Sequence, residues 1–142
     1  MGHITSKGKK PKINPDVINQ KKCPDKPSFS FEFLTTNKKY NFEKLDKRNG
    51  LEWRSTLLSR IIELTQNSWQ HWQGLGKEQG LETIPFQQIH FNPNNYSISE
   101  DEKVIVFRFN SQKGRILGIK DSYCSVYYVI GMDTDYSAYN HG

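Results

Sequence analysis

Cysteine is scarce in this chain, and its scarcity bears on two kinds of chemistry. Only Cys23 and Cys124 occur in 142 residues. They lie far apart, neither has a CxxC partner, and no Cys/His cluster surrounds them, so no metal site is expected from them. Long apolar runs are also missing: no stretch approaches the roughly 18 residues that a membrane span needs. The first residues lack the apolar centre of a secretory signal. Together these absences predict a cytoplasmic protein with no membrane partner, in which a disulfide is not expected either. The GxGxxG, GxxxxGK, HExxH and GxSxG spacings are absent. That sets aside the nucleotide-fold and common hydrolase readings, and no cofactor is assigned.

A surplus of one charge sign is missing from most of the chain. The formal net charge is +5, but it is unevenly placed. Residues 1–26 hold seven Lys against two Asp, whereas residues 27–142 hold thirteen cations and thirteen carboxylates. The surplus therefore sits in the N-terminal tail. Residues 1–27 are poor in apolar groups and cannot offset the entropy of ordering, which predicts a disordered basic arm. Lys9 and Lys10 in that arm are candidate nucleic-acid contacts, since clustered cations attract phosphate without reading sequence. A purely solubilising arm is the alternative.

The remaining residues, 28–142, have the length of one ordinary domain. Hydrophobic content is only 35%, but aromatics reach 13%, which predicts a core rich in Phe, Tyr and Trp. In 28–35, SFSFEFLT, the alternation of Phe29, Phe31 and Phe33 predicts a half-buried strand. Residues 36–48 read as a polar connection pinned by Tyr40, Phe42 and Leu45. Asn49–Gly50 opens a helix over 51–65, with one wide apolar stripe (Trp53, Leu57, Leu58, Ile61, Ile62, Leu64) and with Arg54 and Arg60 pointing away. A short helix over 67–73 follows, capped by Asn67 or Ser68. Strands are expected over 85–91, 103–109, 115–120 and 125–132, with Gly114 in the turn of the second hairpin. The order predicts an α+β fold: an antiparallel sheet of four to five strands with one or two helices packed on one face.

Carboxylates are absent from 103–120, which carries Lys103, Arg108, Lys113, Arg115 and Lys120. Strand alternation puts Val104, Val106 and Arg108 on one face, and it puts Arg115, Leu117 and Ile119 together. Hairpin pairing would bring Arg108 near Arg115, although the register is open. Two adjacent guanidiniums suit a phosphate between them; otherwise each pairs with a carboxylate from 100–102 or 121. The chain then runs into Tyr136, Tyr139 and His141, residue types that can move a proton.

The stretch FRFNSQKGRILGIKDSYCSVYYVIGMDTDYSAYNHG resembles the C-terminal half of RelE/HigB-type bacterial toxins. In that superfamily a strand, a basic turn, an Arg-led strand, a hydrophobic strand and a terminal Tyr follow one another. The likeness covers about 40 residues clearly, and 50–142 loosely. It implies a small α+β endoribonuclease that cuts mRNA on the ribosome without a metal and pairs with an antitoxin protein. By position, Arg108 and Arg115 match the basic residues of two successive strands, and Tyr139 with His141 matches the terminal Tyr/His. These four are the candidate catalytic residues; Lys103, Lys113 and Lys120 are candidate nucleic-acid contacts beside them. The chain departs from the pattern at Asp133 and Asp135, where many such toxins carry Arg or Lys, in its neutral domain and in its longer N-terminus. Those departures leave a second reading open: a non-enzymatic nucleic-acid- or protein-binding protein of a mobile element. A third is a structural subunit whose Arg and Tyr groups anchor an interface.

Other candidates weigh less. His90 has the chemistry for acid–base work, but a satisfied structural His is commoner. His71, between Trp69 and Trp72, reads as a packing residue. Asp133-x-Asp135 offers too few oxygen ligands to assign a metal. Trp53, Trp69 and Trp72 have helical spacing and read as core rather than as stacking platforms for bases.

Overall fold

The computed structural model describes residues 25–47, 49–120 and 125–140. The expected basic arm, including Lys9 and Lys10, lies almost wholly outside these residues, as do both cysteines and His141. The fold is α+β. Strands β1 (Ser28–Ser30), β2 (Leu81–Pro85), β3 (Lys103–Phe109), β4 (Gly114–Lys120) and β5 (Val126–Asp133) form one sheet in the order β1-β5-β4-β3-β2. Helices α1 (Phe42–Lys47), α2 (Gly50–Leu64) and α3 (Trp69–Gln73) connect β1 to β2. Pairing is antiparallel except at the edge, where β1 runs parallel to β5. No helix among the described residues is long and apolar enough to cross a membrane.

The sheet is buried on both faces, which explains its apolar runs. On one face Trp53, Leu57 and Leu64 of α2, with Trp69 and Trp72 of α3, pack against Phe107, Ile116, Tyr127 and Met132. Both buried α3 indoles are satisfied: Trp69 donates to Ser125 O at 3.0 Å and Trp72 to Leu64 O at 2.9 Å. Tyr127 sits at the centre, fully buried, and donates to Ile105 O at 2.7 Å. The opposite face carries Val104, Val106, Leu117, Ile119 and Ile130, covered by loops that bring in Tyr40, Ile89, Phe91, Ala138 and Tyr139. Gly131 makes this cover possible, since a Cβ there would stand 2.4 Å from the Phe91 ring.

Several elements differ from the sequence expectation. The first strand stops at Ser30, and Leu34 N then donates to Phe31 O in a turn. Phe29, Phe31 and Phe33 consequently part company. Phe29 packs on Tyr127, Phe33 joins Tyr128 on the other face, and Phe31 is exposed. The polar connection contains α1, whose Glu43 N is capped by Asn41 Oδ1 at 3.0 Å and whose Leu45 is fully buried. The strand expected over 85–91 lies earlier, at Leu81–Pro85, and Phe86–Gln88 form a single 3-10 turn. Pro85 has no N–H to extend a ladder, and it ends the strand on an edge where that is tolerated. Ser68, not Asn67, caps α3, accepting from His71 N at 3.0 Å.

The stripe of α2 is narrower than its pattern predicts. Leu58 and Ile62 are more than half exposed, and the buried side is Trp53, Leu57 and Leu64. Arg60 does not point away. It reaches over Trp72, and its Nε donates to Arg108 O and its Nη2 to Gln79 O, both at 2.8 Å. Arg60 thus ties the helix to β3 and to the loop before β2.

Candidate nucleic-acid site at the Arg108 end of the sheet

The β3–β4 register settles the question that the sequence leaves open: Arg108 stands directly opposite Arg115. Both project from the loop-covered face, because they alternate with Phe107 and Ile116, which face the helices. Glu82 of β2 lies on the same face, with Nη2 of Arg108 3.7 Å from its Oε1. Tyr139 comes in from the C-terminal segment, and its hydroxyl donates to that same Oε1 at 3.3 Å. Arg108 and Tyr139 therefore meet at a carboxylate that the sequence reading did not include, with Arg115 opposite Arg108 and beside Tyr139. Among the described residues Arg108 pairs with Glu82 rather than with the carboxylates of 100–102; Asp121, the other expected partner, lies outside them. The strand expected over 85–91 begins four residues beyond the observed one and leaves Glu82 out; with the strand at LETIP, alternation alone puts Glu82 on this face.

The β3–β4 turn shapes the site. Asn110, Ser111 and Gln112 all have positive φ, at 53°, 52° and 74°. Three successive left-handed residues are unusual without glycine. Contacts converge on Gln112 and hold them there. Its carbonyl accepts from Arg115 Nη1 at 2.6 Å and from the Tyr136 hydroxyl at 3.3 Å. Its side chain accepts from Arg108 Nη1 and donates to Glu78 O, both at 3.0 Å. The exposed ring of Tyr136 lies 5.2 Å from the Arg115 guanidinium carbon, at cation–π distance.

Asp133, across from Arg115 in the β4–β5 register, is fully buried. Its carboxylate accepts backbone N–H bonds from Asp135, Ser137 and Ala138 at 3.0–3.2 Å. This turn delivers Tyr139 to the sheet. Asp135 instead pairs with Lys44 of α1 at 3.2 Å. Burial acts to raise the Asp135 carboxyl, but hydrogen bonds involving Ser137, Asp133 and Lys44, together with the Lys44 charge, hold it down at about 2. The Asp-x-Asp pair thus has structural work to do. Among the described residues no group of three or more His, Cys, Asp or Glu is placed to hold a metal ion.

Burial governs what the cluster can do. Arg115 and Tyr139 are 5% and 4% exposed, whereas the side chain of Arg108 keeps 14%. Nε of Arg108 and Nε of Arg115 are buried without a hydrogen-bond partner, so donor capacity remains at the site. The Tyr139 phenol is pushed up to about 12, first by burial and then by the Glu82 charge, against an opposing pull from Arg115. At neutral pH it can donate a proton or a hydrogen bond but cannot act as a base.

The other predicted residues scatter. Lys113 lies in the turn at this end, 3.8 Å from Glu52. Lys103 opens β3 and Lys120 closes the antiparallel β4, so both sit about 17 Å away along the strands. Lys120 lies 5.7 Å from the Trp69 ring, on the helix side. The five cations that adjoin in sequence form two groups in space. His90 is exposed, with Nδ1 3.0 Å from Ser137 O, and it tacks down the C-terminal segment. His71 packs edge-on against Trp72 at 4.8 Å, as expected.

Beside Arg108, toward the helices, opens a cleft of about 810 Å³ between α2, α3, the loop before β2 and the β3–β4 turn. Arg108 and Gln112 belong to both the cluster and the cleft wall. Comparison with protein-family models found no match to this chain, and comparisons with curated proteins and with solved structures found none either.

Proposed function

We propose that this protein acts on RNA at the Arg108 end of its sheet, as an endoribonuclease of the RelE-like toxin or phage-defence kind. The observation that carries the reading is the direct opposition of Arg108 and Arg115, each with an unpartnered Nε, beside Tyr139. In this scheme the accessible Arg108, helped by Lys113, receives a backbone phosphate by charge-assisted hydrogen bonds. Arg115 backs it and stabilises charge that develops on the phosphate oxygens. Tyr139, held neutral, suits proton donation to the departing 5′-oxygen. His141, two residues further on, has the ordinary imidazole chemistry to take the 2′-hydroxyl proton. The RNA would be ribosome-associated mRNA, and an antitoxin protein would cover this face.

The burial of Arg115 and Tyr139 favours a second reading, in which the same end binds RNA or protein without cutting it. Tightly induced expression in bacteria separates the two. The wild type is expected to arrest growth and generate new RNA ends, and Arg108→Gln at equal soluble level to do neither. Absence of arrest by the wild type contradicts the ribonuclease reading and leaves the binding one.

A further inference from the structure

We infer that the cleft beside Arg108 is a nucleobase pocket, reading a base of the same RNA whose phosphate Arg108 holds; the inference rests on the RNA reading above. Three observations carry it. The first is charge. Apart from Arg108, which the cleft shares with the cluster, its charged lining is Arg60 with Glu63 and Glu78, so the cleft has no cationic surplus of its own. A cleft without surplus cations next to a cationic cluster divides the labour between an uncharged group and its phosphate.

The second is the chemistry of the lining. Carboxamides recur around it, Asn67, Gln79 and Asn110 among them, and such groups carry paired donors and an acceptor of the kind that match the edges of bases. Trp72 and Phe109 bring buried aromatic rings to the lining, and the exposed His71 belongs to it as well. This is the mixture that planar, polar ligands select, and about 810 Å³ is ample for a nucleoside.

The third is an unmet hydrogen bond. Asn110 is nine-tenths buried in the cleft wall, and its Nδ2 has no acceptor. It sits in the left-handed turn whose next two residues also line the cleft. A buried donor without a partner is costly, and a base acceptor reaching this wall would relieve it.

The test is fluorescence anisotropy of the full chain with 2′-O-methyl decanucleotides, which cannot be cleaved through a 2′-hydroxyl, beside an abasic decamer of equal charge. Asn110→Gly keeps the left-handed backbone accessible while removing the amide, and His71→Ala removes an exposed ring together with its edge contact to Trp72. The wild type is expected to bind at least one base-bearing decamer 10-fold or more tighter than the abasic one. Each variant is expected to lose 5-fold or more of that preference with abasic binding unchanged. Equal binding of abasic and base-bearing strands, or a preference that both variants keep, overturns the pocket while leaving phosphate binding intact. Failure to bind either strand overturns both readings.

Discussion

Tyr127 and Asp135 show how single groups tie this fold to pH. Tyr127 is buried against Phe29, Trp69 and Phe107, and burial raises its phenol well above its ordinary 10.0. A raised folded-state value means that its contribution to stability is whole below pH 10 and is lost as pH rises beyond it. Asp135 is the opposite case. Its carboxyl falls from 3.8 to about 2, so its contribution is present above about pH 4 and is lost as pH falls through 2. Denaturant midpoints measured across pH should therefore be level at neutrality and decline at both ends. Asp135→Asn is expected to flatten the acid limb between pH 4 and 2, and Tyr127→Phe the alkaline limb. Neither partner set could be read from sequence, because Lys44 and Asp135 are 91 residues apart and meet only once the C-terminal turn has folded under Asp133.

At the level of elements, the turn between β3 and β4 is where local preference and global need conflict. Ser111 and Gln112 occupy a region of backbone space that costs L-residues roughly 1–2 kcal/mol each. Ser111→Gly should therefore stabilise the protein by about 0.5 kcal/mol, after the entropy lost by glycine is deducted. Ser111→Val should destabilise it by about 2 kcal/mol, since a β-branched residue is poorly tolerated there. Urea denaturation of both variants checks the pair. The strands flanking this turn were legible, because KVIVFRF and GRILGIK are apolar runs set off by a turn with glycine at its end. The three left-handed residues were not, because Asn-Ser-Gln contains no glycine to announce them. The edge elements were misread for a related reason. Alternation in SFSFEF persists after pairing ends at Ser30↔Tyr128, and PFQQIHF is apolar because Ile89 and Phe91 cover the sheet rather than join it.

Across the whole molecule, the charge is divided three ways: a basic arm, a basic sheet end at Arg108, Lys113 and Arg115, and a distant pair at Lys103 and Lys120. Sequence adjacency made the last two look like one patch, and the antiparallel pairing of β3 with β4 separates them. That Arg108 and Arg115 could meet was legible from strand alternation, with the register left open, and Tyr139 joined them only through the family resemblance. Glu82 was not legible, because its place depends on where an edge strand starts. The division also sets the salt response. Removing residues 1–24 deletes six Lys, and it should lower the slope of log affinity against log salt for single-stranded RNA by up to about 4. Arg108→Gln should lower it by less than about 1. Binding titrations between low and physiological salt distinguish the two.

The most direct measurement is photo-cross-linking of 4-thiouridine-substituted RNA to the full chain, followed by mass-spectrometric mapping of the linked peptides. Cross-links are expected in the peptides spanning 108–116 and 136–140, and they should be lost from both in Arg108→Gln. Cross-links confined to the N-terminal arm, or unchanged in that variant, would contradict the assignment of RNA to this end of the sheet.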